Sequence, residues 1–257
     1  MKWLLIIFLL GFTVFEVDKK INSGSKGHHL KKSYRSFAVL ELFTSEGCSS
    51  CPPADRLLPQ LASTDTKILP LSFHVDYWDR YGWKDPFSNA AFTERQNEYA
   101  KQFKLESIYT PQLVINGEYE LVGSNKASAE KDITELLKED APLQLDVDDV
   151  KIENDKLSVN CHLNGNFQNC DLLVAVVQKH AEVNVKAGEN HGAKLSHTNV
   201  VRSFLKIPAK EKMDFQIAFP AELANDSSSS GKQNWQLIIY TQRRDDLKIT
   251  GAATYNP

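Results

Sequence analysis

Cys48-Ser49-Ser50-Cys51 has the residue types and the spacing for thiol–disulfide chemistry. Two cysteines separated by two residues can close a small ring. They lie between an apolar run, Phe37 to Phe43, and a stretch that reads as helix from Pro52 to Ala62. At such a strand-to-helix junction the helix N-terminus stabilises a thiolate. Cys48, at the helix start, is the expected nucleophile. Its thiolate attacks a partner sulfur to give a mixed disulfide, which Cys51, one turn deeper, resolves. Ser49 and Ser50 tune the potential without fixing the direction of electron flow. Two other readings of these residues stay open. One is a structural disulfide that never turns over. The other is a redox-sensing or metal-handling module in which Cys48, Cys51 and His74 hold Cu(I), since soft thiolates suit that ion.

Other side chains able to do chemistry lie further along the chain. His74, Asp76, Tyr77, Trp78 and Asp79 follow the next apolar run. If that strand runs parallel beside the one leading to Cys48, the two C-terminal ends share one edge, where ligands bind in open α/β sheets. Asp76 or Asp79 would then accept the Cys51 proton, and Trp78 or Trp83 would line a substrate groove. The competing reading packs this loop under the helix that follows. Cys161 and Cys170 face each other if 157–163 and 168–176 pair as a hairpin around Asn164-Gly165-Asn166-Phe167, which puts a structural disulfide within reach; otherwise they are two buried thiols. Glu189-Asn190-His191-Gly192 and His197-Thr198-Asn199 form a polar loop whose histidines either bind a metal, guard the Cys48 site across the domain interface, or do nothing special.

The elements that must position these residues follow from periodicity and turn chemistry. Ile68 to Val75 reads as the second strand, Asn89 to Phe103 as a helix, and Gln112 to Ile115 as a strand. Asn116-Gly117 is a hairpin signal into Tyr119 to Val122. Ser128 to Lys138 is amphipathic and closes a first domain, 37–141. Past Ala141-Pro142 the period becomes two, and seven or eight short strands over 142–257 suggest an all-β, sandwich-like domain. Asp226 to Lys232, with four serines in a row, reads as a flexible loop.

Net charge is −3 and the charged fraction is 25%, so there is no electrostatic footprint for nucleic acid. Lys2 precedes an apolar stretch, Trp3 to Phe15, which suits a secretory signal and is too short for a bilayer span. Residues 1–25 therefore read as either a cleaved signal peptide or a short N-terminal anchor, and 26–36 as a linker. Both options put the body of the protein outside the cytoplasm: periplasmic, secreted or membrane-tethered facing outward, where disulfides persist.

The order strand, Cys-x-x-Cys helix, strand, insertion, Thr110-Pro111, strand, Asn-Gly turn, strand, helix resembles the thioredoxin fold over 37–140. That resemblance implies a cis peptide bond before Pro111, which would lie against the disulfide as part of the active site, with Thr110 beside it free to contact a substrate chain. A longer set of matches resembles a bacterial secreted family of unknown function. It comprises Glu41 to Asp55, Phe73 to Asp79, Gly82 to Pro86, Glu189-Asn190, and His197 to Arg202. Together these imply an α/β thioredoxin-like domain followed by an all-β (sandwich-like) domain. The expected activity is thiol–disulfide exchange with protein thiols or disulfides and an unknown redox partner, without a cofactor or metal. A non-catalytic binding protein on the same scaffold is the third alternative, because fold does not imply function.

Overall fold

The computed structural model describes residues 30–224 and 233–257. The expected signal or anchor, 1–25, and the serine-rich loop, 226–232, lie outside the described residues. The remainder is predominantly β and is built on one sheet that runs through both halves of the chain.

The first half supplies β2 (Ala38–Thr44), α1 (Pro52–Ala62), β3 (Ile68–His74), α2 (Ala90–Phe103), β4 (Gln112–Ile115), β5 (Tyr119–Val122) and α3 (Lys126–Leu136). Before them comes β1 (Leu30–Ser33), a strand inside the stretch expected to be linker. The second half supplies β6 (Leu143–Glu153), β7 (Lys156–Gly165), β8 (Cys170–Asn184), β9 (Lys194–Pro208), β10 (Lys212–Ala218), a short helix α4 (Ala221–Ala224), β11 (Trp235–Arg243) and β12 (Ile249–Asn256). Nine strands form a single mixed sheet in the order β1-β12-β11-β8-β9-β3-β2-β4-β5, and β10-β7-β6 form a small antiparallel sheet.

The expected α/β domain followed by a separate all-β domain is therefore wrong. β3 and β9 are parallel neighbours, with Ser72 opposite Val200. The seam is reinforced by side chains: Ser72 Oγ donates to Thr198 O at 2.7 Å, and Asn199 Nδ2 donates to Pro70 O at 3.0 Å. An isolated first domain would leave the β3 edge unpaired, and β9 covers it. The sequence carries a sign of this. Leu172 to Val177 is continuously apolar, as a strand buried on both faces must be, and each of these residues is buried.

Three cores result. On one face, α1 and α3 cover Ala38, Leu40, Leu42, Leu113 and Ile115. On that side of the second half, the small sheet packs Leu145, Leu157 and Val159 against Val174, Val176, Trp235 and Ile239. On the opposite face one cluster joins both halves, from Val39, Phe43 and Phe73 through Tyr99 to Leu173, Val177, Ile238 and Tyr240. α2 lies on this shared face. Asn89 caps its start, accepting from Ala91 N at 2.9 Å, and Lys104 ends it with φ 55°. Its Arg95 makes a bidentate pair with Glu41, 2.7 Å from Nε and 2.9 Å from Nη2. Tyr240 OH donates to the same carboxylate at 2.8 Å, and Gln242 Nε2 donates to Tyr99 OH at 2.9 Å. Burial alone would make Arg95 less basic, but Glu41 outweighs it and holds the guanidinium charged.

The expected Cys161–Cys170 disulfide is also absent: both are buried free thiols. β7 pairs with β6 and β10, so Cys161 stands opposite Val147 and Met213. Cys170 opens β8 in the large sheet, opposite Arg243. The chain changes sheets between β7 and β8 instead of turning back as a hairpin. Burial pushes the Cys161 thiol up to about 12 and raises that of Cys170.

Candidate functional site: a covered disulfide at the strand edge

β2 and β3 run parallel in register, with Thr44 opposite His74, so their C-terminal ends share one edge. Beyond β2 the chain turns through Ser45 to Cys48, where Cys48 N donates to Ser45 O at 3.2 Å. Pro52 and Pro53 then start α1, at positions that lack an intrahelical N–H partner in any case. Cys48 and Cys51 are joined in a disulfide with their Cα atoms 5.4 Å apart. Both cysteines are 0% exposed, while Ser49 and Ser50 between them are exposed.

Three segments cover the disulfide. Thr110 and Pro111, joined by a cis peptide bond, stand on one side: Cys48 Sγ lies 3.8 Å from Thr110 O, and Ser50 Oγ is 3.3 Å from that sulfur and 3.4 Å from the same carbonyl. Trp78 donates from Nε1 to Thr110 Oγ1 at 2.8 Å, and it closes so tightly over Gly47 that a Cβ there would lie 3.1 Å from the Trp78 Cβ. The third segment comes from the second half of the chain. Glu189 Oε2 accepts from Ser49 N at 3.1 Å, and Asn190 Nδ2 donates to the carbonyls of Glu46 and Cys48 at 2.8 and 2.9 Å. The bond from Ser49 lowers the pKa of the Glu189 carboxyl.

Not every residue picked out from the sequence belongs here. Asp76 accepts from Thr93 Oγ1 at 2.6 Å, tying the loop to α2. Asp79 accepts from Ser88 Oγ at 2.7 Å and from Asp85 N at 3.2 Å. Both carboxylates fasten their own loop and are not aimed at the sulfurs. His74 is fully buried and turned to Asp85, 2.7 Å from Nδ1. Burial would raise the Asp85 pKa, but His74 and the N–H groups of Glu46 and Phe87 lower it. A copper site from Cys48, Cys51 and His74 finds no support, since no three His, Cys, Asp or Glu side chains among the described residues are placed to hold a metal ion. His191 is exposed, whereas His197 is buried.

What the sequence reading missed is a buried charged bridge behind the disulfide. Glu46 precedes Cys48, and Asp55 follows Cys51 by one helical turn, its N–H donating to Cys51 O at 3.1 Å. Between the two carboxylates sits His197 from β9, its Nε2 3.4 Å from Glu46 Oε1 and its Nδ1 3.7 Å from Asp55 Oδ1. These are ion-pair distances outside hydrogen-bond geometry, and all four atoms lack a hydrogen-bond partner among the described residues. The other carboxylate oxygens are satisfied, Glu46 Oε2 by Trp83 Nε1 at 2.7 Å and Asp55 Oδ2 by Thr44 Oγ1 at 3.2 Å. His74 packs edge-on against His197, ring centroids 4.7 Å apart. Burial pulls the His197 pKa down, but Asp55 and Glu46 prevail and push it up to about 10. One local signal was available: Asp55 is a charge on the stripe Cys51, Asp55, Leu58, an otherwise apolar face.

The family model described as "Protein of unknown function (DUF1223)" matches residues 39–241. No curated protein matches the chain. A crystal structure of a protein from Agrobacterium tumefaciens is similar over 85% of this chain and 93% of its own, with a TM-score of 0.61 and 25% identity. HBP35 of Porphyromonas gingivalis is similar in fold over 86% of this chain and 75% of that one, with a TM-score of 0.59 at 14% identity. Both likenesses run across the β3–β9 seam.

Proposed function

The chain belongs to the DUF1223 family, and on that footing we propose that it is a thiol–disulfide oxidoreductase working outside the cytoplasm on protein thiols or disulfides. The observation that carries this reading is the Cys48–Cys51 disulfide at the start of α1, faced by the Thr110 carbonyl and flanked by exposed Ser49 and Ser50. In the reduced protein Cys48 attacks a partner disulfide, Ser50 Oγ and the helix N-terminus stabilising its thiolate. Cys51 then attacks Cys48 Sγ, closing the ring and releasing the partner as a thiol. Thr110 and Pro111 form the wall a substrate chain meets, and Trp78 holds that wall. The export reading rests on Trp3 to Phe15.

One observation favours a second reading, a binding protein whose disulfide never turns over: both cysteines are fully covered. Turnover separates the two. With a small-thiol donor, the wild-type chain reduces an insulin disulfide repeatedly and Cys48→Ala does not. A wild-type rate no greater than that of Cys48→Ala rejects the oxidoreductase.

A further inference from the structure

The outer side of the disulfide carries a charge that comes from the far half of the chain. Glu189, between β8 and β9, accepts from Ser49 N at 3.1 Å, one residue past the nucleophile. An exposed carboxylate usually swings freely, and its charge then counts for little. This one starts from a fixed backbone. The next residue, Asn190, donates to the carbonyls of Glu46 and Cys48. Gly188, with φ +74°, packs so close to Trp83 that a Cβ there would lie 3.2 Å from the Trp83 Cβ. At the base of the loop, Gly192 N donates to Val185 O and Val185 N to Ala193 O, both at 2.9 Å. The Ser49 hydroxyl and N–H both lower the Glu189 pKa, so the group is an anion at neutral pH.

We propose that Glu189 tunes the Cys48–Cys51 pair: its charge disfavours the Cys48 thiolate and so biases the chain toward donating electrons to partner disulfides. This rests on the oxidoreductase reading and deepens it by giving the exchange a direction. An N–H beside a cysteine can lend its dipole to the thiolate, and Glu189 takes up that of Ser49. A fixed negative charge next door also works against a second one. Ser50 Oγ, 3.3 Å from Cys48 Sγ, acts the opposite way. A pair whose reduced form is stabilised is a strong oxidant, whereas one whose reduced form is disfavoured gives up its electrons. In the favoured direction Cys48 and Cys51 lose two thiol protons and two electrons as their S–S bond forms. The partner's S–S bond breaks and takes up both, leaving two thiols. An upstream dithiol, itself oxidised to a disulfide, reloads the pair by the reverse exchange.

The other charges around Cys48 do not cancel this one. Behind the disulfide, Glu46 and Asp55 face His197, a cation at neutral pH, with His74 and Asp85 beyond. Arg80 and Lys84 on the Trp78 loop, and Lys186 and His191 on the Glu189 loop, are exposed and among the described residues form no ion pair with Glu189.

The test equilibrates the full chain with glutathione and its disulfide at pH 8 and reads the reduced fraction of Cys48 and Cys51 by alkylation and mass. Glu189→Gln keeps an acceptor for Ser49 and removes the charge; it should move the equilibrium about threefold toward the dithiol. Glu189→Lys should move it about tenfold, and Glu189→Asp should stay within about twofold of the wild type. The shift should shrink in 1 M salt, where charges are screened beyond about 3 Å. In the Cys51→Ala chain, the pH profile of Cys48 alkylation should fall by about half a unit when Glu189→Gln is added. A residue that merely fastens the loop would move the unfolding midpoint and neither of these readings. The proposal falls if folded Glu189→Gln leaves the equilibrium and the Cys48 profile unchanged, or if the shift persists undiminished in 1 M salt. If the folded wild-type disulfide never exchanges with glutathione, the oxidoreductase reading is lost, and the Cys48 profile alone still decides what Glu189 does.

Discussion

Two buried charge clusters join the halves of this molecule, and they are built differently. Around Glu41, every charged atom is used: Arg95 grips the carboxylate in a fork, and Tyr99 and Tyr240 complete it. Around His197, contacts stop at 3.4 and 3.7 Å and four atoms stay without a hydrogen bond among the described residues. The first lies within the sheet core, away from the cysteines' strand edge; the second lies beside the disulfide. A fully satisfied buried network rigidifies the core around it, whereas a partly satisfied one leaves costly unpaired polar atoms. The Glu41 cluster is saturated, and the His197 cluster is not.

The largest expected effect is at the saturated cluster. Arg95→Met leaves Glu41 buried and unpaired, and should lower the unfolding free energy by about 3–5 kcal/mol. Denaturant titration reads this, while ring closure per folded molecule stays unchanged. An Arg95→Met protein of full stability would dissolve the contrast. At the other cluster, His197→Asn should cost less, about 1–3 kcal/mol, because each carboxylate keeps its other oxygen hydrogen-bonded, Glu46 to Trp83 and Asp55 to Thr44. Its pH dependence is the sharper observation. The folded His197 value, about 10, lies above the roughly 6.5 of an unfolded histidine. The stabilisation is therefore complete below about pH 6.5 and is lost as pH rises through 10. Unfolding midpoints of the wild type should fall over that window, and those of His197→Asn should fall less.

Smaller effects come from the cover and the thiols. Asn190→Ala removes two hydrogen bonds to the carbonyls of Glu46 and Cys48, so the disulfide should be reduced several-fold faster by dithiothreitol, with a stability change of about 1 kcal/mol. An unchanged rate would mean that the loop does not limit access. Smallest of all, thiol titration of the unfolded, unreduced chain should find Cys161 and Cys170 alone reactive, and reduction should add Cys48 and Cys51. Titration that finds no free thiol would overturn the sheet assignment of β7 and β8.

Much of the local structure was legible in the sequence, because its signals are local. The apolar run into Cys48, Pro52-Pro53 at the helix start, Asn116-Gly117 in its turn and Asn89 at the head of α2 each act over a few residues. What escaped depended on pairings between distant segments. The placement of β9 beside β3 brings His197 to Asp55, and no periodicity within either strand announces it. The Cys161–Cys170 expectation assumed that consecutive strands pair, but the chain crosses from one sheet to the other at Asn166 to Asn169. Asp76 and Asp79 had the right types near the right strand end; their partners, Thr93 and Ser88, turned out to be structural. The run Leu172 to Val177 did carry long-range information, since an unbroken apolar strand must be covered on both sides.

The most direct measurement is capture on the Cys51→Ala chain produced with its N-terminal segment in an exporting cell. If the oxidoreductase account is right, partner proteins accumulate in disulfide linkage to Cys48, are released by reductant, and are missing from the Cys48→Ala, Cys51→Ala double variant. A Cys48 thiol that stays free in the single variant while the chain is folded and exported would contradict it.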